Sequence, residues 1–139
     1  MRSTSTLQLT AFSALLTGLV GCSATYDVAF EVTLDDVLSR HVGRVVMVVQ
    51  PTDSSPADVF KSNTFQRVRM HKATVTTCCA PNPEVELYAY LDEDGDGVWD
   101  PAEARAAHAG NPVTLNTPTT HVKLALAAVA EPVIPDLFE

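Results

Sequence analysis

Glu84-Val85-Glu86-Leu87-Tyr88-Ala89-Tyr90-Leu91 runs directly into Asp92-Glu93-Asp94-Gly95-Asp96-Gly97-Val98-Trp99-Asp100-Pro101-Ala102-Glu103. The first eight residues alternate, so a strand here puts Val85, Leu87, Ala89 and Leu91 on one face. The next twelve hold six acidic side chains, two glycines and a proline. That mixture builds a turn and cannot build a core. A strand that ends in an acidic turn points to a β fold with its chemistry at a strand end.

The same period of two appears upstream, where Tyr26, Val28, Phe30, Val32 and Leu34 alternate with Asp27, Ala29, Glu31 and Thr33. Gly43 opens Arg44-Val45-Val46-Met47-Val48-Val49, a β-branched run suited to a buried strand. Residues 50–64 read as a polar loop with a helical turn at Pro56–Lys61. Phe65–Thr76 reads as a strand, with Arg67, Arg69 and His71 sharing one wet face. Downstream, Asp100 suits an N-cap, Pro101 the first helical position, and Glu103 a capping box. Ala102–Ala109 are good helix formers, and Gly110 suits the helix end. Val113–Leu115 and His121–Val129 are expected to pair as a hairpin about Asn116–Thr119, with Val122, Leu124, Leu126 and Ala128 facing one way.

Together these segments predict an all-β chain, an antiparallel β-sandwich of immunoglobulin-like or transthyretin-like type, with one short helix after the acidic loop. Crossover helices long enough for a parallel sheet are missing. Residues 22–139 form one expected domain, with a core at about residues 26–130 and a loose C-terminal tail.

The chain has 139 residues, nine basic and 17 acidic, for a net charge of −8. That balance argues against nucleic acid as a partner, because phosphate binding needs clustered Lys and Arg. Hydrophobic residues at 46% and charged ones at 19% fit a globular chain. No Ser-His-Asp order, zinc-protease helix or Gly-rich phosphate loop is present, so the expectation is a protein that is not an enzyme.

Residues 1–21 have the order of a secretory signal peptide: Arg2, then an uncharged apolar run from Leu7 to Val20, too short to span a bilayer. Leu19-Val20-Gly21-Cys22 resembles the lipobox of bacterial lipoproteins. The resemblance implies cleavage before Cys22 and acylation of its sulfur and its new amino group. Two or more acyl chains anchor a protein stably, where one holds it only marginally. Ser23 after the cysteine, by likeness to enteric lipoproteins, favours the outer membrane. Loss of Arg2 with the signal peptide leaves the mature chain one charge more negative.

The acidic segment resembles EF-hand and dockerin-type calcium loops over its twelve residues. The spacing has a chemical reason. Calcium takes six to eight hard oxygens at roughly 2.3–2.6 Å. Asp92, Asp94 and Asp96 converge as the loop curls, Gly97 allows the sharp turn, and the Val98 carbonyl, Asp100 and Glu103 complete the expected ligand set. Trp99 is expected to anchor the loop on the sandwich. The entry is a strand and not a helix, so the loop is a single site without a partner hand.

Cys78 and Cys79 are neighbours, and in an oxidising compartment a strained disulfide between them is the first expectation. Two further functions stay open at this point. One is an adhesion or assembly module that binds a protein or glycan, with Tyr88 and Tyr90 as a candidate patch. The other is a metallochaperone or small enzyme using Cys78, Cys79 and His71. The principal expectation is a calcium-stabilised lipoprotein of the cell envelope with a binding or structural role.

Overall fold

Val28, Phe30, Val32 and Leu34 all turn inward along Thr25–Leu34 (β1), and the intervening residues are only partly covered. The same rule orients Val75 on Met70–Cys78 (β4) and Val122, Leu124 and Leu126 on Thr119–Leu126 (β8). β1 lies between β4, antiparallel to it, and β8, parallel to it. A second sheet faces this one. In it Arg44–Pro51 (β2) lies between Phe60–Phe65 (β3) and Glu84–Asp92 (β5), and β5 also pairs with Arg105–Ala107 (β6) and Val113–Thr114 (β7). Val45, Met47 and Val49 of β2 and Val85, Leu87, Ala89 and Leu91 of β5 meet the inward side chains of the first sheet in one core. The result is an all-β sandwich. This computed structural model describes residues 24–53, 59–65, 68–78 and 80–129. The signal peptide, Cys22, Cys79, the first half of the expected turn at Pro56–Lys61 and the C-terminal tail lie outside the described residues.

β2 is buried on both faces. Val46 and Val48 point away from the main core and pack with Tyr90 in a second cluster, roofed by Val59, Tyr88 and Trp99. This outer cluster is where the acidic loop comes to rest.

Four expectations need correction. First, the segment after the loop is not a helix: a turn at 101–102 leads into β6. An alanine-rich stretch of eight residues is marginal as a helix by itself, whereas the free edge of β5 needs partners. This segment supplies them. The Ala104 carbonyl accepts from the Leu91 N–H at 3.0 Å and the His108 N–H donates to the Leu87 carbonyl at 2.8 Å. The Asn111 side chain then pairs with both backbone groups of Leu87. Second, β7 and β8 do not form a hairpin, since β7 joins β5 and β8 joins β1. The β1–β8 pair makes the first sheet mixed. Third, Phe60–Phe65 is an edge strand and not loop. Fourth, His71 does not share a wet face with its neighbours. It is buried at 4% exposure, and its Nδ1 lies 3.0 Å from Thr64 Oγ1.

Candidate functional site

Asp92 ends β5 opposite Arg44 at the start of β2. Its carboxylate is almost fully buried, at 1% exposure. Oδ1 accepts the Gly95 N–H at 2.7 Å and Oδ2 the Gly97 N–H at 3.2 Å. Asp94 Oδ1 accepts the Asp96 N–H at 3.0 Å, and Asp96 Oδ1 the Val98 N–H at 2.6 Å. Each aspartate therefore closes a small turn over the residues after it, which is the common local habit of Asp. Gly95 (φ 81°) and Gly97 (φ 77°) occupy the left-handed region that these turns require. The turns bring carboxylate oxygens of Asp92, Asp94 and Asp96 within 4.8 Å of one another.

Glu103 ties the two ends of the loop together. One oxygen accepts the Glu93 N–H at 2.8 Å, and the other the Asp100 N–H at 3.3 Å. This is the reciprocal half of the expected capping box, formed without a helix behind it. Burial raises the Glu103 pKa, the two N–H groups oppose that, and the charges of Asp100 and Asp92 add to it. Asp100 is exposed and accepts the Ala102 N–H at 2.7 Å. Asp92, Asp94 and Asp96 of the expected ligand set are thus brought together, while Asp100 and Glu103 stand outside that group and direct oxygens to backbone N–H groups. The Val98 side chain is exposed.

Residues from outside the loop strap it down. Tyr90 Oη donates to the Gly97 carbonyl at 2.7 Å, and Lys61 Nζ donates to the same oxygen at 2.8 Å. Arg44 Nη2 donates to the Gly95 carbonyl at 2.8 Å. Within the loop, Trp99 Nε1 donates to the Glu103 carbonyl at 3.1 Å, and from outside it the Arg105 guanidinium stacks 4.2 Å from the Tyr88 ring and 4.8 Å from the Trp99 ring. Burial, and then the negative charge of Asp92 with Tyr88, Glu103 and Asp96, pushes the Tyr90 hydroxyl up to about 12. Arg44 and Lys61 are absent from the sequence reading of the site, and Gly95 has no role of its own in it. Tyr90 could have been found there, as the polar-face residue two before the first aspartate.

The donor set fits calcium. All the converging groups are hard carboxylate oxygens. Two acids of the loop are buried, and the cation nearest Asp92 is Arg44, whose Nε lies 3.8 Å from Oδ2. Six acids in twelve residues leave an excess of negative charge that a divalent ion would offset.

The other candidate groups fare differently. His71 and Cys78 lie seven residues apart on β4, about 23 Å at ~3.3 Å per residue. His71 faces inward, and Cys78 is exposed and disulfide-bonded. The two do not converge on a metal. Tyr88 and Tyr90 form no exposed patch: Tyr90 is buried and Tyr88 is half-covered beneath Arg105. Individually exposed apolar side chains lie elsewhere. Val37, Val42, Phe65, Val68, Met70 and Val129 all sit at the end of the sandwich where β1 stops, β2 starts and β3 passes to β4.

No protein-family profile matches the chain, and no curated protein matches it. Among solved structures it is similar to an alternative pilotin from the type II secretion system of Vibrio cholerae. The two share 14% identity and superpose with a TM-score of 0.51, over 78% of this chain and 100% of the other. The likeness is one of fold.

Proposed function

We propose that this chain is a lipid-anchored protein of the bacterial cell envelope that holds one calcium ion in the Asp92–Glu103 loop and acts by binding a partner, without catalysis. The convergence of the Asp92, Asp94 and Asp96 carboxylates carries the calcium part. Val98, through its carbonyl, Asp100 and Glu103 are the remaining ligands of the proposed set. Bound calcium supplies charge neutralisation, and it stabilises the native state by mass action because the unfolded chain lacks the site.

The lipobox with Cys22 supports the anchored, outer-membrane reading, and the fold shared with a secretion-system pilotin supports a secretion-related role in the envelope. Exposed Val42, Phe65 and Val68 at one end of the sandwich leave apolar surface that suits a protein partner better than a glycan. In the same reading Cys78 pairs with its neighbour Cys79.

Two measurements test the proposal. Calcium titrated into stripped protein is expected to change Trp99 emission with a dissociation constant on the order of 10⁻⁴–10⁻³ M or tighter, and Asp94→Asn with Asp96→Asn to abolish the change. Radiolabelled palmitate is expected to label the wild type and not Cys22→Ser. A silent titration sinks the calcium reading, and equal labelling sinks the anchor.

A further inference from the structure

β8 is an eight-residue strand at the margin of its sheet, paired among the described residues only with β1. The corresponding margin of the other sheet, on β5, is closed by the short strands β6 and β7. Unpaired edges are usually blunted by proline, a bulge, shortness or charged side chains, lysine above all, and of these β8 carries only a lysine, Lys123. Thr119–Leu126 has no proline and no glycine, and its register with β1 runs unbroken from Asp27–Thr119 to Leu34–Leu126. Among the described residues it offers a continuous row of backbone groups to an incoming strand.

The outer face of this sheet adds a charge rule. Lys72, Glu31 and Lys123 stand side by side across β4, β1 and β8. Lys72 Nζ lies 3.2 Å and Lys123 Nζ 3.5 Å from the single carboxylate of Glu31. Two ammoniums thus share one acid, and Lys123 is 82% exposed on the open side. A strand laid along β8 places one side chain beside Lys123, where an acid extends the alternation. Its neighbours in sequence fall beside Val122 and Leu124, which point into the core.

We propose that the β8 edge takes an extended segment of another protein, one with an acidic residue flanked by apolar residues at a period of two. This is strand addition, in which backbone hydrogen bonds give affinity and alternate side chains give specificity. A second copy of this chain fits less well. Thr119–Leu126 contains no acidic residue, so no register of two β8 edges sets an acid beside Lys123, and pairing about Lys123 itself sets like charges directly opposite, which is destabilising. The proposal deepens the non-catalytic binding role above by naming the surface and the partner class.

The test uses the purified protein in detergent micelles with calcium. The probe is a short synthetic peptide alternating valine and threonine with a central glutamate, soluble through glycine–serine tails, and its twin has lysine at the centre. The glutamate peptide is expected to bind roughly threefold to fivefold tighter, on the scale of one cross-strand charge pair. Lys123→Glu is expected to reverse the preference, and hydrogen exchange to slow within Thr119–Leu126 and not in β3. Equal affinities, no binding, or protection at another edge overturns the proposal. So does β8 protection that grows with protein concentration in the absence of peptide, which identifies a second copy. Neither calcium titration nor palmitate labelling depends on this edge, so the two readings fail separately.

Discussion

Arg44 stands opposite Asp92 across β2 and β5, with Nε 3.8 Å from the buried carboxylate, and reaches past it to the Gly95 carbonyl. The same guanidinium therefore compensates the first aspartate of the loop and fixes the loop's fold. Under the proposed function, calcium would serve Asp92 in parallel with Arg44, and their contributions would then be separable.

Replacing Arg44 by Met is expected to destabilise calcium-free protein by about 1 kcal/mol, a figure discounted for the exposure of the arginine. Removing a cation beside the ligands is also expected to tighten calcium binding severalfold. Denaturant melts with and without calcium, together with a calorimetric titration, check this. A variant with weaker calcium binding contradicts it.

Gly97→Ala forces a side chain into a left-handed position and is expected to cost about 1–2 kcal/mol with calcium present or absent. Gly43→Ala works by a different route. Its Cβ would lie 2.7 Å from the Asp92 carbonyl oxygen, a backbone atom that cannot step aside freely. An expected loss of about 1–3 kcal/mol should appear in thermal melts of that variant, with a weakened calcium response because Asp92 is displaced.

Tyr90→Phe removes one of the two donors to the Gly97 carbonyl and leaves Lys61 in place. The expected cost is about 1 kcal/mol. In an alkaline absorbance titration of the wild type, one tyrosine is expected to ionise only near pH 12, and this late step should vanish in the variant.

Asp35 makes a different kind of tie. Its oxygens accept the N–H groups of Val37 and Leu38 at 3.0 and 2.7 Å and of Ala128 at 2.9 Å, joining the turn after β1 to the residue two beyond β8. The Leu38 N–H first, and then that of Ala128, holds the carboxyl below its usual 3.8. A lowered pKa stabilises the fold above the unfolded value, and that contribution is lost as the pH falls through the folded value. Asp35→Asn is therefore expected to be less stable than wild type at neutral pH, with the gap closing as the pH falls below 3.8. A gap that stays constant down to pH 2 would refute this.

The legible parts of the molecule were those written locally. The alternation of β1 and β5 and the apolar run of β2 each carry their own period. The aspartate spacing also carries its own turns, so the core of the site could be read directly. β3 could not, because Phe60-Lys61-Ser62-Asn63-Thr64-Phe65 is a polar edge whose pairing depends on β2. The alanines of 102–109 stated a helix preference correctly in local terms, and the free edge of β5 outweighed it. Arg44 and Lys61 lie far from the loop in sequence, and only the sheet register brings them to Gly95 and Gly97.

β1 begins at Thr25, three residues past Cys22. With Cys22 acylated, the leash between lipid and sheet is about 10 Å at full stretch, far shorter than the roughly 33 Å that the ten residues of β1 climb. On the proposed anchoring such a domain would not roam for its partner. The Thr25 and Cys78 end would be its foot on the bilayer, and Val42, Phe65 and the acidic loop would stand about 3 nm into the aqueous space. A partner strand would then have to come to the β8 flank, which would rise from the same foot.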